Sequence, residues 1–275
     1  MWSSSGLFAK APLFDDWPVE SRGLLLAFWR AVFAGVLLLP AVRRPRWDFR
    51  LVPLCFAFTV MNVSYLTSMT LTTAANAIWL QSTAPWWVFL VGVVVLREPF
   101  ARAERFPLMV GGVGLAIILW FQAAGQDRAG LLFGLVSGFA YSGVVLSLRA
   151  LREHDAVWLV AICHLAAAVA LLPYVAYVGV WPDRWQLPVL AGFGLFQMAL
   201  PYVLFARGLR SITSQEATGI GLLEPLLLPV WVWLAWDEVP SGSTLVGGSL
   251  ILAGLTLRYV VPIVRRREAA KRRGA

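Results

Sequence analysis

Long apolar runs separated by short polar connections make up most of this 275-residue chain. A membrane-spanning helix needs roughly 20 mostly apolar residues, and the pattern contains a series of runs of about that length. The connections are too short to hold a separate water-exposed domain. The predicted spans are 23–42, 51–70, 73–95, 104–122, 129–150, 157–180, 187–210, 215–237 and 243–262.

A shorter apolar segment, Trp2 to Phe14, precedes these spans. A helix of that length rises only about 20 Å, less than the hydrocarbon core of about 30 Å. The segment has neither the basic start nor the small-residue cleavage site of a signal peptide. We therefore predict that it is the second half of a truncated first helix, which brings the expected number of helices to ten.

Composition supports a membrane protein. Hydrophobic residues make up 59% of the chain and charged residues 14%, and the mean hydropathy is +0.73. In soluble domains about a quarter of the residues are charged. The net charge of +8 is concentrated towards the C-terminus, after the last span. This pattern favours the lipid bilayer as a partner and no nucleic acid.

No metal site and no cofactor are predicted. Cys55 and Cys163 both lie inside apolar runs, and neither His154 nor His164 has a second ligand at a suitable spacing.

The basic residues are concentrated in alternate connections. The opposite connections carry only Arg22, Arg128 and Arg184. By the positive-inside rule, the basic side is cytoplasmic. We therefore expect a multi-pass protein of the bacterial inner membrane. With ten helices, its N- and C-termini are both expected in the cytoplasm. The basic set comprises loops 43–50, 97–105, 149–156 and 207–214 and the C-terminal tail.

The chain contains an internal repeat. The stretch APWWVFLVGVVVLRE, 84–98, aligns without gaps with EPLLLPVWVWLAWDE, 224–238. The alignment pairs Pro85 with Pro225 and Glu98 with Glu238. The glycine-containing helices that follow, LMVGGVGLAII and TLVGGSLILAG, also correspond.

An offset of five helices reverses the direction of the corresponding span, because five is an odd number of crossings. We therefore predict two inverted five-helix repeats, 1–123 and 130–262, and a basic tail, 263–275. Many secondary transporters have this arrangement.

The sequence A-x-A-x-x-L that leads to a proline and a terminal glutamate, with a Gly-Gly helix after it, resembles the EamA repeat of the drug/metabolite transporter superfamily. The resemblance covers essentially the whole chain in two copies. It departs in the truncated helix 1 and in Asn76 and Trp79, which are more polar and aromatic than the usual small residues. The resemblance implies an all-α membrane protein of ten helices that exports small metabolites, amino acids among them.

Glu224 is the main candidate for chemistry. It lies about nine residues into its predicted span, where an ionised carboxylate costs several kcal/mol unless it is paired or hydrated. We expect it to face a cavity and to bind a proton or a substrate amine. The alternative is a protonated packing residue bonded to a carbonyl that Pro225 leaves free.

Arg30 and Lys10 are candidate charged anchors. Arg30 lies about 10 Å from the end of its span. It either receives a substrate carboxylate, extends outward to the interface or forms a structural ion pair. Lys10 has the same alternatives in the helix 1 segment.

Helical spacing predicts a cavity lining. Asn76, Trp79, Thr83 and Trp86 fall on one helical face, which combines polar and aromatic groups. Such a face suits a cavity wall better than lipid. We predict that Asn62, Tyr65, Tyr141, Gln197 and Tyr202 line the same cavity, with a structural hydrogen bond as the alternative for each tyrosine.

A different spacing predicts close helix contact. Gly130, Gly134, Gly138 and Ser142 recur every four residues, which brings small side chains onto one face.

The favoured function is a secondary transporter that exports small metabolites, above all hydrophobic or aromatic amino acids, by alternating access. Pro85 and Pro225 would act as hinges, and Glu98 and Glu238 would cap helices at opposite membrane faces. The alternatives are export of a drug, vitamin or nucleoside-like solute and, from another class, a membrane-embedded transferase. No dense acidic or histidine cluster supports an enzyme. The expected state is a monomer or a homodimer, and the sequence leaves substrate and coupling ion open.

Overall fold

A computed structural model describes residues 1–94, 105–122, 128–208, 222–262 and 264, with the side chains of 89, 91–94 and 205–208 left aside. Glu98 and residues 265–275 of the basic tail lie outside the described residues. All regular structure within these ranges is helical.

Seven helices in the described part are long and apolar enough to cross a membrane. An eighth apolar helix, Leu223–Trp236, is shorter. The ten-helix count therefore stays a prediction. The seven are Val19–Ala41, Leu51–Leu71, Arg105–Gln122, Arg128–Ala150, Ala156–Val178, Gln186–Leu204 and Gly242–Val260.

The N-terminal segment is less regular than the predicted half-helix. It holds one short helix, α1 (Ser5–Ala9), between the 3-10 turns Trp2–Ser4 and Pro12–Phe14. Ala11 has extended backbone (ψ 128°) because a residue before proline disfavours the helical conformation. Helical geometry therefore ends before Pro12.

The next two helices are α2 (Val19–Leu38) and α3 (Leu51–Leu71). The extended segment between them is held by Asp155, whose carboxylate accepts the backbone N–H groups of Arg43 and Arg44, each at 3.3 Å. Asp155 also caps α8 (Ala156–Val178) by accepting the N–H of Val157 at 3.0 Å. Asp155 thus joins the connection to the start of α8 at the arginine-rich end of the molecule. The opposite end is called the far end below.

The predicted span 73–95 is broken into two helices, α4 (Ala74–Gln81) and α5 (Ala84–Val94). At the break, the Thr83 hydroxyl donates to the carbonyl of Leu80 at 2.5 Å, and the N–H of Trp86 donates to the carbonyl of Thr83 at 2.8 Å. Pro85 lies in the first turn of α5, where its missing N–H leaves no helical hydrogen bond unmade. The proline therefore starts a helix and does not kink a continuous one.

Two glycine-containing helices pack directly against each other, α6 (Arg105–Gln122) and α12 (Gly242–Leu255). A Cβ atom on Gly247 would lie 2.6 Å from the carbonyl oxygen of Gly114. This contact requires glycine, because any larger residue would force the two backbones apart.

Helix α7 (Arg128–Ala150) confirms the predicted small-residue face. A Cβ atom on Gly134 would lie 2.7 Å from Leu80, and one on Gly138 would lie 2.6 Å from the Thr83 hydroxyl. The face packs on the end of α3 and on α4.

The predicted span 187–210 is helical but not uniform. It begins as α9 (Gln186–Gly192), widens into a π-helical turn at Phe193–Ala199 and continues as α10 (Leu200–Gly208). The π-helical turn packs against α2, which also packs along α8. Helix α11 (Leu223–Trp236) precedes α12, which continues into a second π-helical turn at Thr256–Val260.

The core is divided in two. The larger apolar cluster gathers α2, α3 and α8, and a smaller one gathers α4, α6 and α12.

Candidate functional site

A cavity lies between the N-terminal segment, α2, α3, the end of α4, α7, the π-helical turn, α10 and the start of α11. About 420 Å³ of empty space lies between these elements when the open mouth is included. Its walls combine aromatic, thioether, amide and charged groups. The lining residues are Trp2, Arg30, Met61, Tyr65, Gln81, Tyr141, Gln197, Met198, Tyr202 and Glu224.

Arg30 is the most deeply buried charged residue of this lining, with 2% of its surface exposed. Its Nη1 donates to Oε1 of Gln197 at 2.9 Å, and its Nη2 donates to Oδ1 of Asn62. The guanidinium carbon also lies 5.0 Å from the ring centre of Phe193. All three contacts are with neutral groups.

Asn62 is oriented by a second hydrogen bond. Its Nδ2 donates to the carbonyl of Ala27 at 3.1 Å, one turn before Arg30 on the same helix. The amide nitrogen is thereby committed to the backbone, and the amide oxygen faces the guanidinium. Asn62 therefore lies behind the cavity lining and holds Arg30, although it was predicted to line the cavity itself.

The aromatic wall is made by residues from four elements. Tyr65 shares a hydrogen bond with Ser5 at 3.0 Å, and Trp2 meets Tyr202 edge to face with ring centres 5.2 Å apart. Tyr141 of α7 lines the same cavity. The structure thus brings together all three tyrosines that the sequence singled out, together with Arg30 and Glu224.

Glu224 lies in the first turn of α11 beside the buried Pro225. Its side chain is half-buried and lines the cavity. Among the described residues no basic group forms an ion pair with it, so its carboxylate faces the cavity without a counterion in contact.

The face of Asn76, Trp79, Thr83 and Trp86 is not in the cavity lining. The Thr244 hydroxyl donates to Oδ1 of Asn76 at 2.8 Å, and a Cβ atom on Gly248 would overlap the indole of Trp79. Trp86 donates to the carbonyl of Leu108 at 3.1 Å. Apart from Thr83, which lies in the helix break, this face packs against α6 and α12. The prediction that it lines the cavity is wrong because those helices offer a glycine surface that accepts large rings.

Lys10 lies at the far end and is paired. Its Nζ is 2.7 Å from Oε2 of Glu238 and donates to the carbonyl of Thr72 at 2.7 Å. The other oxygen of Glu238 accepts the N–H of Ala74 at 2.6 Å. Glu238 therefore caps α4, a neighbouring helix, whereas the sequence suggested a cap on its own helix. This far-end contact joins three segments.

Sequence reasoning missed four lining residues, Trp2, Met61, Gln81 and Met198. Met61 and Met198 each precede a predicted tyrosine by four residues, a spacing that places both side chains on one helical face. That signal was available. Gln81 had none, because the helix break after it changes the direction in which the chain continues. Among the described residues, no group of three or more His, Cys, Asp or Glu side chains could hold a metal ion.

Comparison with known proteins identifies two matching regions. The model of the EamA-like transporter family matches residues 1–120 and again residues 128–260. A solved structure with 17% sequence identity superposes with a TM-score of 0.65 and covers 94% of this chain and 93% of its own. That likeness concerns the fold alone.

Three curated relatives are similar over most of their length. An uncharacterized transporter of Archaeoglobus fulgidus is 30% identical over 243 residues, which are 86% of this chain and 86% of the relative. Protein PecM of Dickeya dadantii is 24% identical over 91% of this chain and 87% of its own. The pseudopaline exporter CntI of Pseudomonas aeruginosa is 26% identical over 73% of this chain and 72% of its own.

Proposed function

Because this chain belongs to the EamA-like transporter family, we propose that it exports small metabolites, preferentially hydrophobic or aromatic amino acids, through the cavity around Arg30 and Glu224. Transport proceeds by alternating access, in which the cavity opens first to one side of the membrane and then to the other. The protein is a carrier and does not transform its substrate.

The single observation that carries this proposal is the composition of the cavity. A basic group, Arg30, and an acidic group, Glu224, lie in one lining together with Tyr65, Tyr141 and Tyr202. An amino acid has a carboxylate, an ammonium group and a side chain, and the aromatic wall offers a surface for an apolar side chain. A helix surface that faced only lipid would need none of these polar groups.

We propose that the two matching regions are inverted repeats. Two packing pairs support this arrangement. Helices α2 and α8 are the second helices of their repeats and pack together, and α6 and α12 are the fifth helices and also pack together. Equivalent helices that lie beside a two-fold axis between the repeats would pack in such pairs. The arginine-rich end then faces the cytoplasm of a bacterial inner membrane, with both termini on that side.

One relative is named as a pseudopaline exporter, which suggests that solutes other than amino acids should also be tested. Drugs, vitamins, nucleoside-like solutes and larger charged metabolites are therefore included as competing substrates in the experiment.

The deciding experiment is counterflow in proteoliposomes. Purified protein is reconstituted with an unlabelled solute inside, and uptake of the radiolabelled solute is followed for a panel of amino acids and of the competing classes. We expect uptake of aromatic and large aliphatic amino acids. Uptake of a vitamin or drug and of no amino acid would replace the substrate assignment, and uptake of no solute at all would contradict the proposed function.

A further inference from the structure

The guanidinium of Arg30 is buried without a carboxylate in contact. Among the described residues its hydrogen-bond partners are two amide oxygens, and its Nε has no partner at all. A buried charge is costly unless an opposite charge and well-placed hydrogen bonds compensate it. Amide oxygens and the Phe193 ring supply only partial charges. No negative charge is thus in contact with the guanidinium, although Glu224 faces the same cavity.

The guanidinium is held in one orientation although no carboxylate is in contact with it. Asn62 binds it from α3, Gln197 binds it from the π-helical turn, and the bond from Asn62 to the carbonyl of Ala27 fixes the amide. Each Nη has a remaining hydrogen, and Nε carries another. An arginine fork with free donors matches the geometry of a carboxylate, to which it donates two parallel hydrogen bonds. Arg30 is also part of the cavity lining.

We propose that Arg30 is the receptor for a carboxylate of the transported solute, with Asn62 and Gln197 as positioning residues that hold the guanidinium ready. The inference rests on the proposed function and narrows it: the substrates are small carboxylic acids, and a solute without an acidic group is not carried. Glu224, in the same lining, faces the amino group of a substrate that has one.

A purely structural role for Arg30 makes a different prediction. If the guanidinium only joins α2, α3 and the π-helical turn, changes around it affect folding. They do not change whether the protein prefers a substrate acid over the corresponding amide. The experiment therefore compares solutes that differ only in the carboxylate: phenylalanine, phenylalaninamide and phenethylamine, each as a competitor of labelled phenylalanine counterflow.

Two variants supply a contacting negative charge from the protein. Asn62→Asp and Gln197→Glu each place a carboxylate against the guanidinium with almost no change of shape. Gln197→Glu keeps the bond from Asn62 to Ala27 and serves if Asn62→Asp folds poorly. Gln122→Glu is the matched control, since it makes the same amide-to-acid change at the far end, outside the cavity lining. Monodisperse elution and the melting temperature report folding for all three.

We expect the unaltered protein to prefer phenylalanine over both competitors by about tenfold or more, the usual effect of a charge-assisted hydrogen bond. Asn62→Asp and Gln197→Glu should lose this preference, whereas Gln122→Glu should keep it. Equal competition by phenylalanine and phenylalaninamide would overturn the role of Arg30 as carboxylate receptor, but not the proposed transport function. A preference for phenylalanine that survives in well-folded Gln197→Glu would have the same consequence. If the protein carries only a solute that is not an amino acid, an acidic group on that solute would support Arg30 as the carboxylate receptor. A carried solute without an acidic group would overturn this role of Arg30.

Discussion

Glu224 and Asp48 are two carboxylates in opposite surroundings. Glu224 faces the cavity without a bonded partner among the described residues. Asp48 lies in the arginine-rich connection, where its hydrogen bonds with Arg50, 2.6 Å away at Nη2, lower the pKa of its carboxyl to about 2. Its stabilising effect is present above the unfolded value of about 4 and is lost as the pH falls through about 2. Asp48 therefore remains ionised throughout the neutral range.

This contrast yields a prediction at the residue scale. We expect Glu224→Gln to slow amino-acid counterflow about tenfold, or about 1.4 kcal/mol, and to flatten its dependence on pH, because an amide binds no proton. Counterflow rates measured from about pH 5 to 8 provide the check. Asp48→Asn is the control and should keep the original profile. An unchanged rate and profile in the Glu224 variant would remove Glu224 from the mechanism.

Close helix contact gives a prediction about single glycines. Gly247→Ala should destabilise the protein by about 1–3 kcal/mol, since its Cβ would press on the backbone of α6. The control is Gly112→Ala in α6, where a Cβ would meet nothing within 4 Å. That change should be neutral or stabilising by about 0.5–1 kcal/mol. Thermal unfolding in detergent separates the two variants, and equal melting temperatures would count against the packing described.

At the scale of elements, the far end is closed by side chains from distant parts of the chain. Lys10 and Glu238 pair there and also bind the backbone at Thr72 and Ala74. Beyond them, the amide of Gln122 in α6 donates to the hydroxyl of Ser243 at 3.1 Å. At the arginine-rich end, Asp155 and Trp158 of α8 instead bind the backbone of the connection at Arg43, Arg44 and Arg46. We therefore expect opening of the cavity towards the far end to break the Lys10–Glu238 contact.

We therefore expect Lys10→Gln and Glu238→Gln to favour opening at the far end. The pair is about one-fifth exposed, so its loss should shift the equilibrium by at most about fivefold, or about 1 kcal/mol. A cysteine at Met61 of the lining, in a Cys55→Ser and Cys163→Ser background, reports access by its labelling rate with an impermeant thiol reagent from the far-end side.

The matched control for that experiment is Asp15→Asn, which breaks the Asp15–Arg22 pair at the surface of the N-terminal region. Its labelling rate should equal that of the parent protein. Slower or unchanged labelling after Lys10→Gln would show that the pair does not hold the far end closed.

At the scale of the whole molecule, the ends of α8 separate two sets of charges. Asp155, Arg43 and Arg44 lie at its start, and Arg184 follows its end. The asymmetry of basic residues predicts that the start faces the cytoplasm.

Orientation is therefore testable with one pair of variants. In the background without native cysteines, Arg44→Cys and Arg184→Cys each expose a thiol at opposite ends of the molecule, since both arginines are exposed. An impermeant maleimide added to intact cells should label the Arg184→Cys protein, and the Arg44→Cys protein only after the cells are permeabilised. The reverse pattern would invert the topology.

Much of the fold was predictable from the sequence. The helices Leu51–Leu71, Arg105–Gln122 and Arg128–Ala150 begin and end within two residues of the predicted spans, because a bilayer demands long apolar helices whatever surrounds them. The break at Ser82 and Thr83 was not predictable. It depends on side-chain hydrogen bonds to the backbone and on packing with α7, neither of which changes the hydropathy pattern.

The sequence by itself determined the membrane class, the family and the residues most costly to bury, Arg30 and Glu224, since these follow from composition, motif and charge within an apolar run. Only the tertiary structure decided what those residues meet. Spacing in the sequence predicts correctly which residues share a helical face. Whether that face lines a cavity or packs against another helix depends on the elements beside it. For this reason Tyr65, Tyr141 and Tyr202 gather around one cavity, while Asn76 and Trp79 face α12.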